Sequence, residues 1–193
     1  MQIWKLERGE HFVRKAVSAL KKGKVLVCPT DTVYGLLADA TNKRAVRKVF
    51  QIKQRSPNNP LPLFVRDIAM ARKLAKITPL QERFLKKVWP GKVTAILESR
   101  TTGLPADRRG TIGWRIPKHP FTLNLLKAFP RPLTGTSANI VGKEPARSIE
   151  EVVSQFAKRK HKPDIVLDAG TLPFSKSSKV VDLTGKKRTI LRP

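Results

Sequence analysis

The segment "HFVRKAVSALKKGKVLVCPTDTVYG" (residues 11–35) contains, in order, the patterns of a helix, a buried strand and a polar loop. Its apolar residues at 12, 13, 16, 17 and 20 follow the helical period, and Gly23 stands where a C-cap glycine is expected. The apolar run at 24–28 is typical of a strand inside a sheet. Because helix and strand patterns keep alternating along the chain, the sequence predicts an α/β fold, an open twisted mixed sheet with helices packed on it.

Capping residues mark where the other helices begin. The expected N-caps are Asn42, Asp67, Thr78 and Ser148, and the last two have Gln81 and Glu151 at capping-box spacing. Strands are predicted for LPLFV, VTAILE, TIGWRIP, RPLT, DIVLDAG, KVVDL and TILR, the last two as a hairpin through TGKK. No internal repeat or linker divides the chain, so we expect one domain over residues 1–193.

The charge of the chain is its most unusual property. It has 193 residues, with 40 Lys and Arg against 14 Asp and Glu, for a net charge of +26. Such a surface attracts nucleotides, RNA or acidic proteins, although a lysine-rich surface also serves solubility alone. The N-terminal residues lack a signal-peptide pattern, and no apolar run approaches the ~18 residues of a membrane span. We therefore expect a cytoplasmic protein with no membrane partner.

Several common site types are missing from the sequence. It has no P-loop, no G-x-G-x-x-G fingerprint and no G-x-S-x-G elbow. Cys28 is the only cysteine and is expected to be a small core residue in a reducing compartment. The three histidines are scattered, so a zinc site is not expected, and His119 at a helix start is expected to have a surface or capping role.

Four polar segments fall at strand ends or in the loops that follow, where open α/β sheets bind ligands. They are PTDTVYG, KQRSPNNPL with Lys53 and Arg55, TIGWRIP with Arg115, and TGTSAN with Ser137 and Asn139. Two cations at i,i+2 spacing can both face one phosphate cluster. An arginine in an apolar strand needs a partner or a ligand, unless its strand is an edge facing water.

In this order, the segments resemble the YrdC/TsaC family of threonylcarbamoyl-AMP synthases. The matching stretches are PTDTVYGL, KQRSPNNPLPL, WPGKVTAIL, IGWRIPKHP, TSANIVGKEPARS, SSKVVDLT and ILRP, from residue 29 onward. The resemblance implies a YrdC-like fold in its short, single-domain form. It also implies synthesis of L-threonylcarbamoyladenylate and pyrophosphate from L-threonine, bicarbonate and ATP, with Mg²⁺ on the ATP phosphates, for the t6A modification of tRNA. Partners would be the threonylcarbamoyl transferase proteins, and tRNA itself.

The same resemblance places the site residues. The catalytic tetrad would be Lys53, Arg55, Ser137 and Asn139. Threonine would meet Thr30, Thr32, Tyr34, Arg115 and Ser178, with Arg115 taking its carboxylate. The nucleotide would meet Arg55, Asn59, Thr111, Ser137 and Arg192, and no protein metal ligand is expected. Asp31 either meets the threonine ammonium group or caps a turn.

The sequence departs from the family pattern in three places. Phe64 stands where many relatives have a histidine, Lys179 replaces a threonine, and GKEP (142–145) carries one extra residue. Two other readings of the chain remain open. One alternative is an RNA-binding protein of this fold without the activity, and the other is a paralogous enzyme that forms a carbamoyl-adenylate.

Overall fold

The computed structural model describes residues 1–6, 10–100, 104, 110–185 and 187–193. Within them six helices alternate with short strands. The helices are α1 (Glu10–Lys21), α2 (Lys43–Lys53), α3 (Ile68–Leu74), α4 (Pro79–Val88), α5 (Pro120–Ala128) and α6 (Ile149–Phe156). None of the described helices is both long enough and apolar enough to cross a bilayer.

The strands form two mixed sheets. They are β1 (Gln2–Lys5), β2 (Leu26–Cys28), β3 (Gly35–Leu37), β4 (Leu63–Phe64), β5 (Val93–Glu98), β6 (Thr111–Arg115), β7 (Leu133–Thr134), β8 (Thr136–Ser137), β9 (Ile165–Asp168), β10 (Lys179–Asp182) and β11 (Thr189–Arg192). The five-stranded sheet has the order β1-β9-β2-β3-β8, and the six-stranded sheet has the order β11-β10-β5-β6-β4-β7. The α/β prediction with mixed strands is confirmed, but the strands divide between two sheets, and β1 and β3 were not predicted.

The sheets meet at Gly135, the single residue between β7 and β8. Its amide donates to the Pro62 carbonyl oxygen at 2.8 Å, which draws the backbone against β4. A Cβ atom on Gly135 would lie 2.2 Å from the Phe64 ring, far inside van der Waals contact. The chain therefore needs a residue without a side chain where it passes from one sheet to the other.

Gly135→Ala should destabilise the protein by about 1–3 kcal/mol, because the new methyl group overlaps the Phe64 ring. Urea denaturation measures the change in the free energy of unfolding. Gly185→Ala is the control, since a Cβ there approaches only the Lys187 carbonyl oxygen, at 3.6 Å. Equal stability of the two variants would contradict the close packing of Gly135 on Phe64.

Most predicted caps are confirmed. The Asn42 side chain accepts from the amides of Arg44 and Ala45, and Thr78 forms both bonds of a capping box with Gln81. Asp67 caps α3, and Gly23 ends α1 with a φ of 71°. The box predicted at the start of α6 is half correct. Ser148 accepts from the Glu151 amide, but the Glu151 carboxylate accepts from the Arg147 amide, one residue too early for a reciprocal bond.

Alternate residues of the central strand β2 enter different cores. Leu26 and Cys28 pack with α1 and α5 on one face of the five-stranded sheet, whereas Val27 enters the larger core with α2 and α6. Cys28 is fully buried, as predicted for a core residue, and burial raises the pKa of its thiol far above the ordinary value. The two cores fix the sheets and leave a cavity between them.

Candidate active site

The cavity between the two sheets has a volume of about 490 Å³, within the usual range for small-molecule sites. Eleven of the twelve residues predicted for the site line it: Thr30, Thr32, Tyr34, Lys53, Arg55, Thr111, Arg115, Ser137, Asn139, Ser178 and Arg192. These residues come from distant parts of the chain, so the fold gathers what the sequence could show only as separate segments. The exception is Asn59, which does not line the cavity.

Lys53, the last residue of α2, lies at the centre of the polar wall. Gln54 ends the helix in the left-handed conformation, with a φ of 52°. The Lys53 Nζ donates to the carbonyl oxygen of Ser137 at 2.7 Å and to the carbonyl and Oδ1 oxygens of Asn139, both at 2.9 Å. These neutral acceptors satisfy all three ammonium protons. The side chain therefore ties the end of α2 to the turn after β8.

Burial changes the acidity of this lysine. Lys53 is only 3% exposed, and no carboxylate lies among its hydrogen-bond partners. Desolvation, with a smaller effect of the Arg55 charge, lowers the pKa of Lys53 from its ordinary 10.5 to about 7. An anion that enters the cavity would therefore stabilise the charged form of Lys53.

Ser137 and Asn139 are joined to each other and to Lys53. The Ser137 hydroxyl donates to Asn139 Oδ1 at 2.6 Å, and the Asn139 Nδ2 donates to the Lys143 carbonyl oxygen. Asn139 Oδ1 therefore accepts from both Lys53 and Ser137, which fixes the orientation of its amide. Three members of the predicted tetrad form one network.

Arg55, the fourth member, lines the same cavity without joining that network. Its Nε donates to the Asn59 carbonyl oxygen at 3.1 Å, and its Nη2 donates to the Pro60 carbonyl oxygen at 3.0 Å. The guanidinium is half-buried, and desolvation lowers its pKa. Asn59 acts here through its backbone, on Arg55, rather than through a side chain in the cavity. That placement does not support the nucleotide contact expected for the Asn59 side chain.

The hydroxyl groups of Thr30 and Thr32 are largely bonded to their own loop, which connects β2 to β3. Thr30 Oγ1 donates to the Val33 carbonyl oxygen at 2.6 Å and lies 3.0 Å from Thr32 Oγ1. Because the Thr30 proton is already used, Thr32 is the donor of that pair, and the Thr32 amide also donates to Thr30 Oγ1. This bonding holds a tight loop against the cavity.

Tyr34 lines the cavity with its ring, but its hydroxyl contacts backbone. The phenol donates to the Gly170 carbonyl oxygen at 2.7 Å and accepts from the Ala169 amide at 3.0 Å. Burial raises the pKa of Tyr34 to about 12. The hydroxyl therefore anchors the first residues of a segment, 169–178, which we call the strap. The other end of the strap carries Ser178 into the cavity.

Tyr34→Phe should lower the free energy of unfolding by about 1–2 kcal/mol, because it removes both hydrogen bonds to the strap and leaves the Gly170 carbonyl without this donor. Chemical denaturation of the two proteins side by side gives the difference. An unchanged stability would show that the phenol does not hold the strap in solution.

Arg115 and Asp31 form a buried ion pair. The Arg115 Nη2 donates to Asp31 Oδ1 at 2.7 Å, and the Nε donates to the Gly91 carbonyl oxygen at 2.9 Å. The side chains are 5% and 8% exposed. Arg115 thus has the partner that its apolar strand requires and does not face water. Asp31 neither caps a turn nor lines the cavity, contrary to both roles expected for it.

Opposite this pair, Ser178 is held by residues from two other strands. Its hydroxyl lies 3.0 Å from Thr94 Oγ1, and the Arg192 Nη2 donates to its carbonyl oxygen at 2.6 Å. Thr94 was missed from the sequence, although a lone threonine in an apolar strand was the available signal. The other lining residues missed are Val33, Gly35, Pro60, Pro62, Phe64, Ile96, Gly113, Gly135, Thr136, Val141, Gly142, Ser177 and Val180.

The sequence departures affect the cavity unequally. Phe64 lines the wall below Gly135, with the Arg115 guanidinium carbon 5.8 Å from its ring centroid. An aromatic surface therefore replaces a polar one at that point. Lys179 is exposed and outside the lining, and so its substitution leaves the described wall unchanged.

All the charged residues of the described lining are positively charged. The cations are Lys53, Arg55, Arg115 and Arg192, and the described lining contains no aspartate or glutamate. Within the described residues, no group of three or more His, Cys, Asp or Glu side chains could hold a metal ion. The fold and the cavity together define an α/β protein with a cationic cavity of a size that suits a small ligand with anionic groups.

The family follows from comparison with known proteins. A family model named for Sua5, YciO and YrdC, and described as "Telomere recombination", matches residues 18–193. The chain is 37% identical over 197 residues to a putative threonylcarbamoyl-AMP synthase of Methanocaldococcus jannaschii, covering 100% of this chain and 91% of the relative. The protein belongs to the Sua5/YciO/YrdC family, which confirms the resemblance seen in its motifs.

Solved structures agree with this assignment. Pyrococcus abyssi Sua5 in complex with L-threonine superposes with a TM-score of 0.89 at 31% identity, covering 100% of this chain and 56% of that one. E. coli YciO superposes with a TM-score of 0.87 at 28% identity, covering 99% and 94%. This chain therefore spans little more than half of the Pyrococcus protein but nearly all of YciO.

Proposed function

We propose that the protein is an L-threonylcarbamoyladenylate synthase, which makes threonylcarbamoyl-AMP and pyrophosphate from L-threonine, bicarbonate and ATP. The observation that carries the proposal is the convergence of Lys53, Arg55, Ser137 and Asn139 on one cavity that Arg115 also lines. Relatives named threonylcarbamoyl-AMP synthase at 30–37% identity support the same reaction.

The first step is formation of a carbamate. The amine of threonine adds to the carbon of bicarbonate, and water leaves. Arg115 lines the cavity, where its guanidinium would receive the carboxylate of threonine. No protein nucleophile is needed, because the work of the site is to hold two small anions side by side.

The second step transfers the adenylyl group. A carbamate oxygen attacks the α-phosphorus of ATP, the bond to the bridging oxygen breaks, and pyrophosphate leaves with that electron pair. Lys53 and Arg55 would neutralise the charge that develops on the phosphates, and Ser137 would hydrogen-bond a phosphate oxygen. Positioning and electrostatic stabilisation account for the catalysis.

Magnesium enters this scheme as part of the substrate. Because the described lining lacks carboxylates, Mg²⁺ would be held by phosphate oxygens and water rather than by the protein. We further propose a single YrdC-like domain over 1–193. Its product would pass to threonylcarbamoyl transferase proteins for t6A modification of tRNA, in the cytoplasm.

The proposal is tested by release of pyrophosphate from purified protein. We expect release that requires threonine, bicarbonate and ATP together, with omission of any one reducing it to background. No release with the full mixture would overturn the function.

The amino-acid requirement separates this enzyme from a paralogue. The nearly full-length match to YciO at 28% identity favours testing that alternative. A HypF structure, at 21% identity and a TM-score of 0.80, shares the fold alone. If serine, or no amino acid, supports pyrophosphate release as well as threonine does, the paralogue becomes the better assignment. If only tight, strongly salt-dependent RNA binding is found, the net charge of +26 points to an RNA-binding protein.

Nucleotide affinity should depend on pH through Lys53. Its pKa of about 7 in the free protein means that the ammonium form is lost as the pH rises through neutrality. Bound phosphates favour the charged form, so affinity for ATP should fall above about pH 7, by up to about tenfold per pH unit. Calorimetric titration between about pH 7.5 and 9, where the triphosphate remains fully ionised, measures this. A flat profile in the wild type, or an equal slope in Lys53→Met, would contradict it.

A further inference from the structure

Of the three buried polar atoms that lack a partner within the described chain, one is Trp114 Nε1 in β6, and the other two lie in the loop after β2 and at the start of α5. Asp31 Oδ2 and His119 Nδ1 have no hydrogen bond within the described chain, although each is almost inaccessible to solvent. Buried polar atoms are nearly always bonded to protein or to ordered water, so each such atom requires an explanation. Neither residue lines the cavity, and therefore neither is accounted for by direct contact with substrate.

The two atoms belong to neighbouring parts of the fold. His119 is the residue before α5, and Asp31 lies in the loop after β2. Thr122 in the first turn of α5 donates to the Pro29 carbonyl oxygen at 2.6 Å, which fastens that turn to the loop. The Asp31 charge also acts on the imidazole, where it partly opposes the desolvation that lowers the His119 pKa.

The atoms are complementary in chemistry. Asp31 uses Oδ1 to accept from Arg115, which leaves Oδ2 as a free acceptor. A neutral histidine with its proton on Nδ1 is a donor at that atom. His119 makes no side-chain cap for α5, so the capping role expected for it is wrong and its imidazole is available for another partner.

Arg115 is the group that such an arrangement would control. Its Nε and Nη2 are fixed by Gly91 and Asp31, and its Nη1 makes no hydrogen bond to any described residue. A guanidinium held at two corners can present its third corner in only one direction. The position of the Asp31 carboxylate therefore sets where Arg115 can meet a ligand in the cavity.

We propose that Asp31 and His119 are positioning residues for Arg115, joined by a single water that accepts from His119 Nδ1 and donates to Asp31 Oδ2. This relay rests on the proposed function, in which Arg115 receives the threonine carboxylate. Its purpose is to keep the carboxylate of Asp31, and hence the guanidinium, in one orientation. Internal waters in proteins typically bridge buried polar groups that have no protein partner.

Substitutions of His119 test the relay without disturbing the ion pair. His119→Leu should raise the KM for threonine about fivefold or more and leave the KM for ATP within about twofold, since only the orientation of Arg115 changes. His119→Asn should keep the wild-type KM for threonine, because the Asn Nδ2 occupies the place of the imidazole Nδ1. His119→Ser is the matched control. Serine caps helices as well as asparagine does, but it is too short to reach the water.

Each outcome bears on the proposal. Impairment in His119→Leu and His119→Ser with recovery in His119→Asn supports the relay. Wild-type values in all three variants, a parallel rise in both KM values, or no recovery in His119→Asn would overturn it. His161→Leu, at an exposed and remote histidine, should behave as wild type.

A crystal structure of the unliganded protein tests the relay independently of activity. Electron density for a water within hydrogen-bond distance of Asp31 Oδ2 and His119 Nδ1 supports it, and its absence at high resolution overturns it. If the wild-type protein releases no pyrophosphate, the proposed function fails, and this measurement still decides the relay.

Discussion

Lys53→Met should reduce threonine-dependent pyrophosphate release by about 100- to 1000-fold, the effect of removing one preorganised donor from a developing charge. Methionine keeps the length and apolar stem of lysine but has no ammonium group. The variant thus loses the charge at the phosphates and the bonds to Ser137 and Asn139. Initial rates at saturating substrate, with the KM for each substrate, measure the loss.

Lys53→Met should leave the protein folded. Three buried oxygen atoms lose a donor, which destabilises by about 1–3 kcal/mol, but a buried charge is removed at the same time. Lys43→Met is the matched control, on the exposed face at the start of the same helix. A Lys53→Met enzyme with near wild-type turnover would remove this residue from the chemistry and leave it only as a clamp on the turn after β8.

Arg115→Met should destabilise the protein by about 3–5 kcal/mol and abolish threonine-dependent pyrophosphate release. The stability loss arises because the Asp31 carboxylate, 8% exposed, would stay buried without its arginine partner. The Tm should fall by roughly 2–4 °C for each kcal/mol of stability lost. The measurement is the free energy of unfolding, taken together with the threonine concentration dependence.

A double-mutant cycle separates stability from function at this pair. Arg115→Met with Asp31→Leu removes both charges, and we expect it to recover most of the stability, since buried ion pairs add little over apolar replacements. Activity should not recover, because no group remains to take a carboxylate. Recovery of threonine binding in the double variant would show that Arg115 serves only to neutralise Asp31.

Local patterns predicted the helices well and the strand pairing less well. Asn42, Asp67 and Thr78 mark true helix starts because a cap depends on residues within one turn. The strand β1 was missed because four residues at 2–5 carry almost no periodic signal, and it is fixed by parallel pairing with β9. The division into two sheets was missed because the strand partners on either side of Gly135 are distant in the sequence: β7 pairs with β4, and β8 pairs with β3.

The candidate site, too, could be predicted only in part from the sequence. The resemblance identified which residues gather in the cavity, but not how their polar atoms are used. The bond of Tyr34 to the strap joins residues 136 positions apart, and the ion pair of Asp31 with Arg115 joins residues 84 positions apart. Such partners follow from tertiary packing, and therefore a residue read as a substrate contact can prove to hold the cavity wall instead.

If one cavity joins the carbamate of threonine to the adenylyl group of ATP, a double-label experiment should show both in one product. Purified protein is incubated with threonine, carbon-labelled bicarbonate and ATP labelled at the α-phosphorus, and the products are separated. We expect both labels to appear in equal amounts in one threonine-containing compound, with one pyrophosphate released for each. Labels in separate compounds, or an adenylate that lacks the bicarbonate carbon, would contradict it.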